Sequence, residues 1–190
     1  MLGKERSSTW ATLRLAVRNA AKPSRILRCI YKIPSVSETG RELTLEVETN
    51  VTERLPKREL QRLPFEVEFR GQRLQSALVS YNINEMLATK MRALFQRRRG
   101  RDLFDLYWAL TAEAVEPVDV ADVMDAFQHY MRSEDTRVPR TEFIAHLRTC
   151  LADKAGFCTD MIPLLRRGVK YDPAEAGLYL EAHVLSRLPE

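Results

Sequence analysis

The chain has 190 residues, 45% apolar and 29% charged, and reads as a soluble globular protein with a real core. No apolar run approaches the roughly 20 residues needed to span a bilayer, and residues 1–8 lack the apolar segment of a signal peptide, so no membrane partner and a cytoplasmic location are expected. The formal net charge of +4 fits an anionic partner without demanding one.

Residues 8–21 read as a helix, with Ser7 or Ser8 as cap and Trp10, Leu13, Leu15 and Val17 as apolar surface; Pro23 stops it. Residues 25–33 alternate as a strand. Residues 34–40 form a loop or wide turn. Residues 41–49 are the clearest strand. Leu43, Leu45 and Val47 point one way, toward the expected core, and Thr44, Glu46 and Glu48 point the other. Residues 50–64, with two prolines and many charges, are assigned to a loop. Residues 65–69 and 74–81 are short strands around a turn at Gly71.

From Ile83 onward the pattern is helical. The expected helices span residues 83–98, 101–113, 118–131, 140–154 and 173–187. Asp119, Thr141 and Asp172 are candidate caps, and Pro173 suits a first turn. Cys29, Cys150 and Cys158 lack metal-ligand or redox spacing and are read as reduced and partly buried. His129, His146 and His183 are scattered, so no zinc site is expected. There is no internal repeat or low-complexity tract. The order of elements predicts an α+β protein with a mixed sheet beside a C-terminal helical bundle, divided into residues 1–82 and 83–190.

The chemistry concentrates in residues 85–106. In the first helix Leu87, Met91, Leu94 and Phe95 form an apolar stripe. Lys90 and Arg97, seven residues apart, share a face at its edge, with the small Ala93 between them. An ammonium held there suits a triphosphate. Arg97, Arg98, Arg99 and Arg101 are the densest basic run in the chain. In the second helix Leu103, Leu106, Tyr107 and Leu110 form the stripe, flanked by Asp102 and Asp105. Arg101 and Asp105, four residues apart, are placed to pair, and Asp102 suits a helix's first turn. Spacing alone leaves two readings open, a solvated basic face or a phosphate-binding one. The same holds for Glu46 and Glu48, which are either solubilising acids or paired carboxylates for a divalent metal.

The run Leu87-Ala88-Thr89-Lys90-Met91-Arg92-Ala93-Leu94, followed by Gln96-Arg97-Arg98-Arg99-Gly100-Arg101-Asp102-Leu103-Phe104-Asp105-Leu106, resembles the K-x-x-A-L-x-x-R-x-x-x-R-D-L-x-D-L signature of the AbiEii/AbiGii toxin family of nucleotidyltransferases. Residues 43–50 resemble that family's acidic strand, and Tyr171-Asp172-Pro173 suits its C-terminal region. The resemblance covers roughly residues 25–187. It implies a nucleotidyltransferase-like α+β fold and a toxin of a type IV toxin–antitoxin or abortive-infection phage-defence pair. The implied activity is Mg²⁺-dependent transfer of a nucleotide from an NTP to RNA, notably the 3′ end of tRNA. An AbiEi-type antitoxin is the implied protein partner.

The resemblance further implies roles for single residues. Lys90 contacts the triphosphate. Asp105 orients the lysine or arginines. Arg97 and Arg101 support phosphate or RNA backbone. Glu48, or else Glu46, supplies a metal acid. The family's early Gly-Gly/Ser motif and its Asp-x-Asp pair have no counterpart; no Asp-x-Asp occurs in these 190 residues. The expectation is therefore a partial, N-terminally truncated nucleotidyltransferase region with weak or no catalysis. The alternative is a degenerate, non-catalytic domain that binds NTP, RNA or the antitoxin.

Overall fold

The structure is a computed structural model, and it describes residues 14–17, 26–35, 41–51, 56–112 and 117–190. The chain divides into two compact units, Met1–Leu55 and Pro56–Glu190.

The first unit holds strands β1 (Arg14–Val17), β2 (Ile26–Pro34) and β3 (Glu42–Asn50), antiparallel in that order. A strand at Arg14–Val17 corrects the expected helix over 8–21. Leu15 and Val17 are spaced two apart, and their ladder to Tyr31 and Cys29 satisfies the backbone as a helix would have done. The other residues of that expected helix lie outside the described ones. In the β2–β3 register Arg28 stands opposite Glu48, and Ile30 opposite Glu46. The opposite face carries Cys29 with Val47, Tyr31 with Leu45, and Ile33 with Leu43. This leucine face is amphipathic as expected, but it is not a core. Leu43 is 60% exposed, Leu45 52% and Val47 44%. A sheet buries its apolar face only under a second layer, and the unit's described residues supply none.

The second unit opens with strands β4 (Gln61–Phe69) and β5 (Gln72–Ser80), an antiparallel hairpin. Its turn is Arg70-Gly71, with φ of 51° and 73°, and the second positive φ is where glycine is suited. β4 begins at Gln61 rather than Phe65, which corrects the loop over 50–64. Pro64 is tolerated because a two-stranded ribbon consists of edges only. The two antiparallel sheets also replace the single mixed sheet expected from the sequence. A turn of two residues can join antiparallel neighbours, whereas parallel strands need a long crossover.

Five helices follow: α1 (Ile83–Arg97), α2 (Gly100–Thr111), α3 (Val120–Ser133), α4 (Arg140–Ala152) and α5 (Pro173–His183). Single 3₁₀ turns lie at Ile162–Leu164 and Leu185–Arg187. Asp119 caps α3 by accepting from the Ala121 amide at 2.9 Å, and Asp172 caps α5 by accepting from the Ala174 amide at 2.8 Å. Thr141 is not a cap. It lies inside α4, which starts at Arg140 as expected, and the Arg140 amide donates to the Pro189 carbonyl at 2.8 Å. The core is helical. Leu94 of α1, Leu103 of α2, Phe127 of α3, Phe143 of α4 and Leu180 of α5 are all fully buried.

A buried carboxylate ties the segment before β4 to this bundle. Glu85, in the first turn of α1, accepts hydrogen bonds from the amides of Lys57 (2.6 Å) and Arg58 (2.8 Å) and from the Tyr130 hydroxyl. Burial and the Glu85 carboxylate push the Tyr130 hydroxyl well above the usual tyrosine range. The three cysteines are free, with Cys150 buried and Cys29 and Cys158 half-buried. His146 lies 3.6 Å from the Cys150 sulfur, and burial, then Arg98, hold its imidazole below the usual histidine range.

Candidate functional site

The basic run falls at the joint between α1 and α2. α1 ends as Arg98 turns left-handed at φ 51°. Arg99 is extended, and α2 begins at Gly100. Arg99 contributes no side-chain cap. The Gly100 amide donates instead to Asp160 Oδ2 at 2.9 Å, so a residue sixty positions away takes the capping role. The approach is close: a Cβ on Gly100 would stand 2.0 Å from the Phe157 carbonyl oxygen and 2.5 Å from Asp160 Oδ1. Glycine is required here by contact.

Across this joint Lys90 of α1 meets the two aspartates of α2. Its Nζ lies 2.5 Å from Asp105 Oδ2 and 3.6 Å from Asp102 Oδ1. Arg97 Nη2 lies 3.4 Å from the same Asp102 oxygen. The shared face of Lys90 and Arg97 thus converges on one carboxylate. The expected Arg101–Asp105 pair does not form; Asp105 gives its carboxylate to Lys90, while Arg101 projects into solvent. Exposure is graded across the group. The Asp102 side chain is 0% exposed, Lys90 33%, Asp105 39% and Arg97 56%.

The Asp102 carboxyl is pushed above the usual aspartate range. Burial raises it, and Arg97, Lys90 and Arg101 only partly offset that. Its Oδ2 atom is buried without a hydrogen-bond partner, as are Asp160 Oδ1 and the Tyr171 hydroxyl oxygen. Chemically, the joint offers one ammonium set by two carboxylates, with Arg97 and Arg101 near Asp102 and with Arg98 and Arg99 exposed between the two helices. That surface is suited to phosphate oxygens. Lysine gives a point charge, and guanidinium gives planar paired donors.

Glu46 and Glu48 belong to the first unit. Arg28 donates to Glu48 from Nε at 2.9 Å and from Nη2 at 2.5 Å, and its Nε lies 3.7 Å from Glu46. The two acids therefore clasp a guanidinium. Among the described residues no group of three or more His, Cys, Asp or Glu side chains is placed to hold a metal ion. One oxygen of each acid, Glu48 Oε1 and Glu46 Oε2, faces the Arg28 guanidinium, and no third ligand for a divalent cation stands beside them among the described residues.

Asp160 had no local signal in the sequence. Only Gly100, a poor helix former at a helix start, pointed to a close neighbour there. Comparison with known proteins then bears on the whole arrangement. A family model described as "Nucleotidyl transferase AbiEii toxin, Type IV TA system" matches residues 12–171. No curated protein and no solved structure matches the chain.

Proposed function

The chain belongs to the AbiEii nucleotidyl transferase toxin family of type IV toxin–antitoxin systems, and from that membership we propose that its α1–α2 joint binds the triphosphate of an NTP for transfer to RNA, with tRNA 3′ ends as the target class. The observation that carries this reading is Lys90, set 2.5 Å from Asp105 and 3.6 Å from the buried Asp102. Asp105 holds the ammonium in place. Lys90 contacts the triphosphate, and Arg97 and Arg101 take further phosphate or RNA backbone. A fixed ammonium stabilises the charge that builds during phosphoryl transfer. The family implies a metal as well as an NTP, with Mg²⁺ the proposed ion. In this chain transfer is weak or absent, because no Asp-x-Asp occurs in the sequence and the Glu46–Glu48 pair clasps Arg28.

The same absence favours a second reading, a non-catalytic member that keeps NTP or RNA binding, or binding to its AbiEi-type antitoxin. One experiment separates them. The purified chain and its Lys90→Ala variant are incubated with Mg²⁺, labelled NTPs and total tRNA, and NTP affinity is measured in parallel. The expected result is little label on tRNA, with NTP affinity falling about ten- to a hundredfold in Lys90→Ala, the size of a charge-assisted contact. Strong incorporation lost in Lys90→Ala would overturn the weak-transfer part. Unchanged NTP affinity would overturn the assignment of Lys90.

A further inference from the structure

One large aromatic side chain of α2 is out of place by the logic of burial. Trp108 is 41% exposed, on a helix whose opposite face supplies core residues Leu103 and Leu106. It is nonetheless held. Its ring stacks on Phe104 at 5.7 Å between centroids and 23° between planes. Phe104 is braced edge-on by Tyr171, at 5.0 Å and 88°. Tyr107 in turn packs on Tyr171 at 6.2 Å. The exposed indole therefore stands on a fixed aromatic support.

Its neighbours along the helix are charged. At 3.6 residues per turn, Phe104, Trp108, Arg101 and Asp105 fall within one arc of about 100°. Trp108 lies three residues past Asp105, the residue that holds the Lys90 ammonium, so the indole and the Asp105 side chain are neighbours on the surface of α2. Arg101 lies seven residues back, about 10 Å along the axis. A strand laid along this face meets an arginine and a flat apolar ring, with the Lys90–Asp105 pair at its edge. Arg97, Arg98 and Arg99 stand exposed at the same end as Arg101.

We propose that Trp108, backed by Phe104 and Tyr171, is a stacking platform for an unpaired base of single-stranded RNA whose backbone runs along Arg101 and Lys90. The proposal rests on the phosphate-binding reading of the α1–α2 joint given above. Single-stranded nucleic acid is recognised by this combination, a cationic track for phosphates and an aromatic face for bases. The indole is 41% exposed, with Arg101 on the same arc of the helix. An exposed ring beside a cation suits a polymer laid across it, whereas mononucleotides are commonly held in concave pockets.

The test uses intrinsic fluorescence. The chain has two tryptophans, Trp10 and Trp108, so the Trp10→Phe variant reports on Trp108 alone. It is titrated with short oligo(A) RNA, with an abasic ribose-phosphate oligomer of the same length, and with ATP. Oligo(A) is expected to quench the emission and the abasic oligomer to leave it unchanged. In the natural background, Trp108→Ala should weaken oligo(A) binding about tenfold. Trp108→Phe should restore most of that affinity, and ATP affinity should stay level. Matching circular dichroism spectra and melting temperatures establish that the variants fold.

Equal quenching by the abasic oligomer, or oligo(A) affinity unchanged in Trp108→Ala, overturns the proposal. So does a loss of ATP affinity with RNA affinity intact, which would assign the indole to the NTP base. Base-dependent quenching in a chain that binds no ATP supports the platform, and the failure then falls on the NTP reading alone.

Discussion

Asp102 carries a carboxylate that the fold has closed off from solvent. One of its oxygens faces Lys90 and Arg97, and the other faces no partner. Burying a charge costs more than imperfect pairing returns, which is why the carboxyl is pushed up despite three nearby cations. This has a pH consequence. Above the ordinary aspartate value of 3.8, the unfolded chain has released this proton while the folded chain still holds it. The folded state binds more protons in that window, so stability falls as pH rises from 3.8 through the raised native value. Asp102→Asn should remove that part of the slope. At neutral pH it should be as stable as the parent or more so, by on the order of 1 kcal/mol. Urea unfolding of both proteins from pH 4 upward checks this; parallel stability profiles would contradict it. The spacing of Asp102 and Asp105 was legible in the sequence, because three residues on a helix make neighbours. Their division of roles was not. Whether Arg101 or Lys90 takes Asp105 depends on how α1 crosses α2, and no local pattern encodes that crossing.

The α1–α2 joint shows what elements add to residues. The helices themselves were legible. Leu87, Met91 and Leu94, and then Leu103 and Leu106, recur at helical spacing, and all five are buried. Asp119 and Asp172 announced two helix starts through their own side chains. The start of α2 was placed within one residue, but its cap was hidden, because it comes from Asp160, a contact made in three dimensions. The strand at Arg14–Val17 was missed for a related reason: a short amphipathic segment takes its period from the partner strand it pairs with. Gly100 makes the joint testable. Alanine in place of a helical glycine ordinarily stabilises by about 1 kcal/mol. Here its Cβ would run into the Phe157 carbonyl oxygen at 2.0 Å, which reverses the sign. Gly100→Ala is expected to destabilise by about 2 kcal/mol or more and to weaken NTP binding, since α2 carries both aspartates that set Lys90. Thermal melts and NTP titration read the two effects. A stabilised variant would show that the joint has room to move.

At the scale of the molecule, apolar surface is divided unevenly. Among the described residues, every buried apolar residue of the core lies in the second unit, from Leu87 to Leu188. The described strand residues contribute none. Leu63, Phe65, Val67 and Phe69 of β4 stand on one face with Leu74 and Leu78 of β5, each of them more than 40% exposed. A hairpin alone is marginal in water, whereas a helical bundle with a continuous core carries its own stability. Residues 56–190 should therefore fold by themselves. The prediction is a single cooperative thermal transition with strong helical circular dichroism. It follows that Phe65→Ser in that fragment should shift stability by less than about 0.5 kcal/mol, as an exposed position does, whereas Phe143→Ala, which empties a fully buried core position, should cost about 3–5 kcal/mol. Denaturant unfolding of the fragment and both variants measures the contrast. If Phe65→Ser costs as much as Phe143→Ala, the hairpin face is part of the core after all, and the bundle's independence fails with it.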